Sequence, residues 1–329
     1  MEPLLEFGLE TTRWLQNTYP QLEEFFQIVS LFGIEEFYLA LLPLIYWCLN
    51  KQLGKHYAYL FVVAVVLSPL LKHAFRDPRP YWLDSQVGLS VEASYGIPSG
   101  HTLLGTTTYF FLAAWVRRRW AWVLAAFMII IMSLSRIYLG VHFVHDTIAG
   151  FLVATLLLIT YFVWQRTLAA RFSKRIMGFR LMVAIAIPLF FILVYVLILF
   201  LIGEPEMNVP WADFIPAAEL SALEGVTTGV STLLGVGIGL IFEGSRVRFL
   251  VAGPVWKRAL RYVIGMAVML AIWAGLRAVF PSDPLWLALP LRVLRYLLLA
   301  LWVTYYAPLL FVRLRLAGAE PDPGINLTL

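Results

Sequence analysis

Long apolar runs alternate with short polar connections along most of this chain. The first run extends from Ile34 to Leu49 and the second from His56 to Phe75, and later ones centre near Phe110, Ile129, Leu156, Leu193, Leu234, Leu270 and Leu301. Each approaches the ~20 residues needed to cross a bilayer, so the pattern predicts an all-α, polytopic bundle of about nine transmembrane helices. Residues 1–33 read differently. Leu4, Leu5, Leu9, Trp14, Leu15, Leu22, Phe25 and Phe26 are interleaved with acids, which predicts amphipathic helices broken near Pro20 and lying at the membrane interface. A polar loop from Arg76 to Gly100 follows the second run. The expected organisation is an interfacial segment at 1–33, a catalytic bundle at 34–205, and further C-terminal spans with a short tail at 206–329.

Composition narrows the class. Hydrophobic residues make up 61% of the chain and charged ones 14%, against about 25% charged in soluble domains. The mean hydropathy is +0.80. The net charge of +5 does not point to nucleic acid, because the basic residues are dispersed in the short connections. Cys48 is the only cysteine, so no intrachain disulfide can form. Glu2 and Glu6 stand where a secretory leader would carry basic residues, so none is expected.

Charge also orients the spans. Alternate connections hold Lys51 and Lys55, then Arg117, Arg118 and Arg119, then the stretch from Arg166 to Arg180, then Arg246 to Arg261, and finally Arg313 and Arg315. The opposite connections collect Glu204, Glu206, Asp213 and Glu219. The positive-inside bias then places the N-terminus outside and the C-terminus in the cytoplasm. Lys72, Arg79 and Arg136 fall on the outer side, against that bias.

Those three cations belong to three segments: Lys72 to Pro80, Pro98-Ser99-Gly100-His101, and Ser135 to Asp146. His142 and Asp146 are four apart, a spacing that puts a carboxylate within reach of one imidazole nitrogen and leaves the other free to attack. Pro98 and Ser99 precede an apolar run and mark a helix start, with Ser99 the N-cap and Gly100 allowing close approach to an anion. His101 is placed to protonate a leaving oxygen and then activate water. Lys72, Arg79 and Arg136 suit phosphate oxygens. Together these residues fit metal-free phosphoryl transfer, and no metal-ligand cluster is apparent.

Other features have simpler readings. His145 reads as a supporting residue, and His56 and His73 as interfacial ones. Arg76 and Asp77 are expected to pair with each other. Gly235, Gly237 and Gly239 fit close helix packing better than a nucleotide loop. Asn326-Leu327-Thr328 is rejected as a glycosylation acceptor because it falls on the cytoplasmic side.

In order and spacing, the three segments resemble the signature of the type 2 phosphatidic acid phosphatase superfamily, which also includes vanadium haloperoxidases and glucose-6-phosphatase. The resemblance implies a helical core and assigns His142 as the nucleophile that becomes phosphohistidine, Asp146 as its partner, and His101 as general acid and base. It assigns Lys72, Arg79, Ser99, Gly100 and Arg136 to the phosphoryl group. It implies no cofactor or metal, and a membrane lipid phosphate or diphosphate as substrate: phosphatidate, phosphatidylglycerophosphate, a sphingoid phosphate or a polyprenyl pyrophosphate. The expected setting is the bacterial cytoplasmic membrane, with the site facing outward. Arg79-Pro80-Tyr81-Trp82 and Ser135 to Leu139 also look like glucose-6-phosphatase, which keeps a sugar phosphatase as an alternative. A non-enzymatic lipid binder or transporter and a vanadate-dependent peroxidase are the remaining alternatives.

Overall fold

The computed structural model describes residues 3–320, so the Asn326-Leu327-Thr328 triplet lies outside the described residues. Among the described residues the chain is helical, apart from one isolated bridge between Phe249 and Ala319. Helix α1 (Pro3–Thr18) buries Leu5, Leu9 and Thr12 and leaves Leu4, Phe7 and Trp14 exposed. Pro20 fixes a single tight turn before α2 (Glu23–Ser30), whose first-turn acids suit a helix N-terminus. Then follow α3 (Glu35–Leu44), α4 (Lys51–Phe75), the short α5 (Pro80–Leu83), α6 (Gly100–Val116), α7 (Arg119–Tyr138) and α8 (Val144–Thr167). The chain continues through α9 (Ala169–Ser173), α10 (Met177–Ile202), α11 (Ile215–Phe242), α12 (Val255–Val279), α13 (Leu285–Leu301) and α14 (Ala307–Arg313).

Among the described residues, seven helical stretches are long and apolar enough to cross a membrane, and they correspond to seven of the predicted runs. The other two fall short for local reasons. The run from Ile34 to Leu49 contains Pro43 and ends in a wide helical turn over Ile45–Leu49, and it bends by 48° from the helical segment before it. Helix α6 stops after 17 residues, where Arg117 turns into the left-handed region and opens the Arg117-Arg118-Arg119 connection. Helix α10 is apolar nearly all round and presents Leu193 and Phe200 outward, 66% and 82% exposed, as a lipid-facing helix does.

Contacts divide the chain into two compact units, each assembled from several stretches of the sequence. The first comprises residues up to Tyr38, Leu60–Arg171 and Phe190–Gly229. At its centre α6, α7 and α8 pack together, with α2 against α7. The end that carries Tyr95 and Phe143 is closed by an aromatic core of these two with Phe26, Tyr81, Trp82 and Tyr138. The N-terminal helices are part of this packing: Thr12 Oγ1 donates to the Ile137 carbonyl at 3.2 Å and Ser135 Oγ to the Phe26 carbonyl at 3.0 Å. The first 33 residues therefore brace α7, a role the interfacial reading did not include.

The second unit comprises Leu39–Tyr59, Phe172–Leu189 and the chain from Val230 on. Here Glu243 is fully buried between Lys51 at 2.7 Å and Lys55 at 3.0 Å, and it accepts from the Phe249 amide. Arg261 donates to the carbonyls of Trp47, Val251, Ala252 and Leu316. A Cβ at Gly235 would come within 2.6 Å of Ala300 Cβ, and one at Gly239 within 1.9 Å of Thr304 Oγ1, so these glycines serve close helix packing.

Candidate active site

Five helix ends of the first unit carry the predicted residues. Lys72 lies in the last turn of α4, Arg79 immediately before α5, Ser99 at the N-cap of α6, Arg136 in the last turn of α7, and Asp146 in the first turn of α8. His101 follows in the first turn of α6, and His142 sits in the turn between α7 and α8. That turn needs Gly140, whose φ is +69° and whose Cβ would meet the Val87 carbonyl at 1.9 Å. The α6 and α8 starts are held together at Gly150, where a Cβ would meet the Ser99 carbonyl at 2.7 Å, and the Ser99 amide donates to the Asp146 carbonyl at 2.9 Å. The positive ends of two helices thus open into one site.

Within it, Asp146 Oδ2 lies 3.1 Å from His142 Nδ1 and accepts from the Phe143 amide at 2.9 Å. A carboxylate at Nδ1 selects the tautomer that protonates Nδ1 and leaves the Nε2 lone pair for attack. Nε2 faces Arg79, whose Nη1 is 3.3 Å away. Burial, reinforced by the Arg79 and Lys72 charges, holds the His142 imidazole well below its usual range. A neutral ring is the nucleophilic form.

Lys72, Arg79 and Arg136 are all buried and all paired. Arg79 Nη2 lies 2.7 Å from Glu92 Oε2, and Arg136 Nη2 pairs with Glu92 Oε1. Arg136 Nη1 also donates to Ser30 Oγ at 2.5 Å. The same carboxylate is 3.8 Å from His101 Nδ1 and 3.9 Å from His142 Nε2. Loss of water opposes its charge, yet Arg79 and Arg136 outweigh that and hold the Glu92 carboxyl well below the usual carboxylate range. Lys72 Nζ donates to the Tyr95 carbonyl at 2.6 Å and to Ser94 Oγ at 3.2 Å. Arg79 donates to the Ser94 carbonyl and Oγ and to the Tyr95 carbonyl. The loop from Glu92 to Tyr95 is therefore a strap across the cations.

Ser99 caps α6 as expected, its Oγ accepting from the Thr102 amide at 3.5 Å, and Gly100 begins the helix beside Ser68. His101, Arg79, Arg136 and His142 converge on one point. Lys72 touches the strap next to it, while Ser99 and Gly100 shape the α6 end.

Several side chains have partners the sequence did not indicate. Arg76 does not pair with Asp77. Its backbone turns left-handed at φ 49°, and its guanidinium reaches Glu219 at 2.8 Å, while Asp77 binds His145 at 3.1 Å. His73 is buried, lying 2.7 Å from both Glu219 and the Tyr195 hydroxyl. Glu219 also accepts from the Tyr95 hydroxyl at 2.6 Å, which ties the strap to the start of α11. Asp77, His145 and Asp146 form a group with metal-ligating donor atoms within 4.8 Å, which sequence inspection did not reveal. His145 Nε2 bonds Asp77 at 3.1 Å and lies 3.4 Å from Asp146 Oδ1, a buried oxygen that makes no hydrogen bond among the described residues. Glu92 and Glu219 are the main residues missed. The one signal for Glu92 was its place, as one of two acids with Asp84, between the cation segment ending at Pro80 and the histidine segment beginning at Pro98.

Two family models match the chain: "PAP2 superfamily" over residues 54–170 and "PAP2 superfamily phosphatase, transmembrane extension" over residues 227–319. Among curated proteins it is 31% identical over 150 residues to human (Homo sapiens) sphingosine-1-phosphate phosphatase 2, covering 42% of this chain and 37% of that protein. It is 31% identical over 108 residues to undecaprenyl-diphosphatase of Sulfolobus acidocaldarius, covering 32% of this chain and 52% of that one. With the glucose-6-phosphatase catalytic subunit 1 of Canis lupus familiaris it shares 26% identity over 183 residues, 46% of this chain and 51% of the relative. The chain thus spans about a third to a half of the length of these relatives. The first matched stretch contains every residue that converges on the site, the second extends through the later helices, and both models describe one group of proteins: the chain belongs to the PAP2 superfamily.

Proposed function

We propose that this protein is an integral membrane phosphatase that hydrolyses a lipid phosphate through a phosphohistidine on His142, without a metal. One observation carries the reading: His142 is oriented by Asp146 through Nδ1, and its Nε2 faces a point where Arg79, Arg136 and His101 already surround a carboxylate. A phosphoryl group at that point would lie in line with Nε2. Attack forms the N–P bond as the bond from phosphorus to the lipid oxygen breaks, and His101 gives that oxygen its proton. His101 then takes a proton from water, whose oxygen attacks phosphorus; the N–P bond breaks and inorganic phosphate leaves. Lys72, Arg79, Arg136 and the α6 N-terminus at Ser99 and Gly100 stabilise the charge on the phosphoryl oxygens. Asp146 keeps the ring oriented while the imidazolium character develops.

The apolar surface and the sphingosine-1-phosphate and undecaprenyl diphosphate relatives favour a lipid substrate. The glucose-6-phosphatase match, the longest of the three in residues, keeps a sugar phosphate as the second reading. For topology, α6 starts at the site and α7 ends there. Since α7 is long enough to cross, α6 crosses in the opposite direction despite its 17 residues. Counting the bent pair at residues 20–49 as one crossing gives nine passes. With the positive-inside bias, that count favours an N-terminus and site on the extracytoplasmic face of a bacterial cytoplasmic membrane and a C-terminus inside.

The test is phosphate release by the purified full chain in detergent with a chelator present. The panel is sphingosine 1-phosphate, phosphatidate, phosphatidylglycerophosphate, undecaprenyl diphosphate and glucose 6-phosphate. Release from at least one lipid, abolished in His142→Ala, is expected. Release that requires an added divalent cation, or that survives loss of His142, overturns the mechanism.

A further inference from the structure

Glu92 does not belong to the reaction sequence above, yet its carboxylate sits where that sequence needs the phosphoryl group. Oε2 is 2.7 Å from Arg79 Nη2 and 3.9 Å from the attacking nitrogen of His142. Oε1 pairs with Arg136 and lies 3.8 Å from His101 Nδ1. A carboxylate oxygen and a phosphoryl oxygen make the same charge-assisted bonds to guanidinium groups. Both anions cannot occupy one point 4 Å or less from two histidines and two arginines. Turnover therefore requires Glu92 to leave.

The surroundings allow it to do so. The Glu92 side chain keeps 25% of its surface exposed, while Arg79 keeps 0%, Arg136 2% and His142 0%. The cations are fixed deep in the site and the carboxylate reaches them from its mouth. Its neighbours Val91 and Ala93 are exposed, Val91 at 77%, so nothing seals the strap from outside at this point. The strap stays anchored on the far side through Ser94 and Tyr95, whose polar atoms hold Lys72 and Arg79. Glu92 can swing out without loss of those contacts.

We propose that Glu92 is a built-in competitor of the phosphoryl group, displaced by substrate and returning to expel inorganic phosphate. A tethered anion lowers the apparent affinity of every ligand for its point by the fraction of time the point is open. A substrate with a long apolar tail has other binding energy to set against that loss. Free phosphate does not. Glu92 therefore discriminates between anchored substrate and released product, and it keeps the buried cations paired between turnovers. The product's identity rests on the phosphatase reading, whereas the competition itself concerns anion binding and can be measured without turnover.

The experiment is calorimetric titration of orthovanadate and of inorganic phosphate into the purified full chain in detergent, for wild type, Glu92→Ala and Glu92→Asp. Aspartate keeps the charge but is one methylene too short to reach both arginines. Competition predicts that both variants bind both anions about tenfold tighter or more than wild type. Thermal stabilisation by vanadate should rise in parallel, which gives a second readout. Unchanged or weaker binding in both variants overturns the proposal. Tightening in Glu92→Ala but not in Glu92→Asp also overturns it, because a general field effect of the charge would then suffice. Absence of lipid phosphatase activity in all three proteins would contradict the phosphatase reading and leave this comparison of affinities intact.

Discussion

Glu243 and Glu92 each lie between two basic side chains, one in each unit of the molecule. Glu243 is wholly buried, held by Lys51 and Lys55, with the Phe249 amide as a further donor. Glu92 meets Arg79 and Arg136 at an open mouth, with His101 and His142 within 4 Å. The same charge pattern serves as a structural lock in one place and as the occupant of the proposed active site in the other. Exposure and the neighbouring histidines make the difference, and neither is visible from the glutamate alone.

Substitutions can break this contrast. The largest effect is expected on the reaction side. Asp146→Asn leaves the packing in place but removes the carboxylate that fixes the His142 tautomer, so kcat should fall about 10³- to 10⁴-fold in a phosphate-release assay with little change in thermal unfolding. On the structural side, Glu243→Ala removes a buried carboxylate from between two partly buried lysines, of which Lys51 keeps the Phe249 carbonyl. It should cost about 3–5 kcal/mol of stability by chemical or thermal unfolding, with vanadate affinity unchanged. A Glu243 variant that altered anion affinity would erase the distinction.

A smaller effect should come through the strap. Glu219 accepts from the Tyr95 hydroxyl and from Arg76, and the Tyr95 carbonyl in turn accepts from Lys72 and Arg79. Glu219→Gln and Tyr95→Phe should each lower kcat/KM about tenfold, roughly 1.4 kcal/mol in the barrier. The double variant should lose little more than either single one, as expected for two members of one network. Full additivity would mean that Glu219 acts elsewhere.

The smallest signal is a titration. Because the His142 ring is held below its ordinary range, it stays neutral as pH falls through about 6.5, where an unperturbed histidine gains its proton. Nitrogen NMR of labelled imidazoles, with the signal assigned by its loss in His142→Gln, should show protonation of His142 only at distinctly lower pH. Protonation at 6.5 or above would contradict the electrostatic account of the site.

Much of this architecture could be read from sequence because it rests on local patterns. The apolar runs marked the long helices, Pro98-Ser99 marked the start of α6, and the four-residue spacing put Asp146 under His142. What sequence reading missed depends on contacts between distant segments. Glu92 is defined by arginines 13 residues before it and 44 after it, distances at which periodicity carries no information. Arg76 and Asp77 are neighbours whose backbone directs them to different partners, a choice made by a left-handed residue in a loop. Glu219 read as an outer-loop acid, but as a residue of α11 it faces His73, Arg76 and Tyr95. The count of spans depended on Pro43 and on the early stop of α6 at Arg117, where apolar length overstated helix length.

The central claim is that His142 carries the phosphoryl group. A rapid-quench experiment with lipid substrate labelled in its phosphate tests it most directly, followed by denaturation and peptide mapping. The account predicts a label that is stable in alkali and labile in acid, located on His142 and absent in His142→Ala. Phosphate release that proceeds without a covalent label, or with the label on another residue, would contradict it.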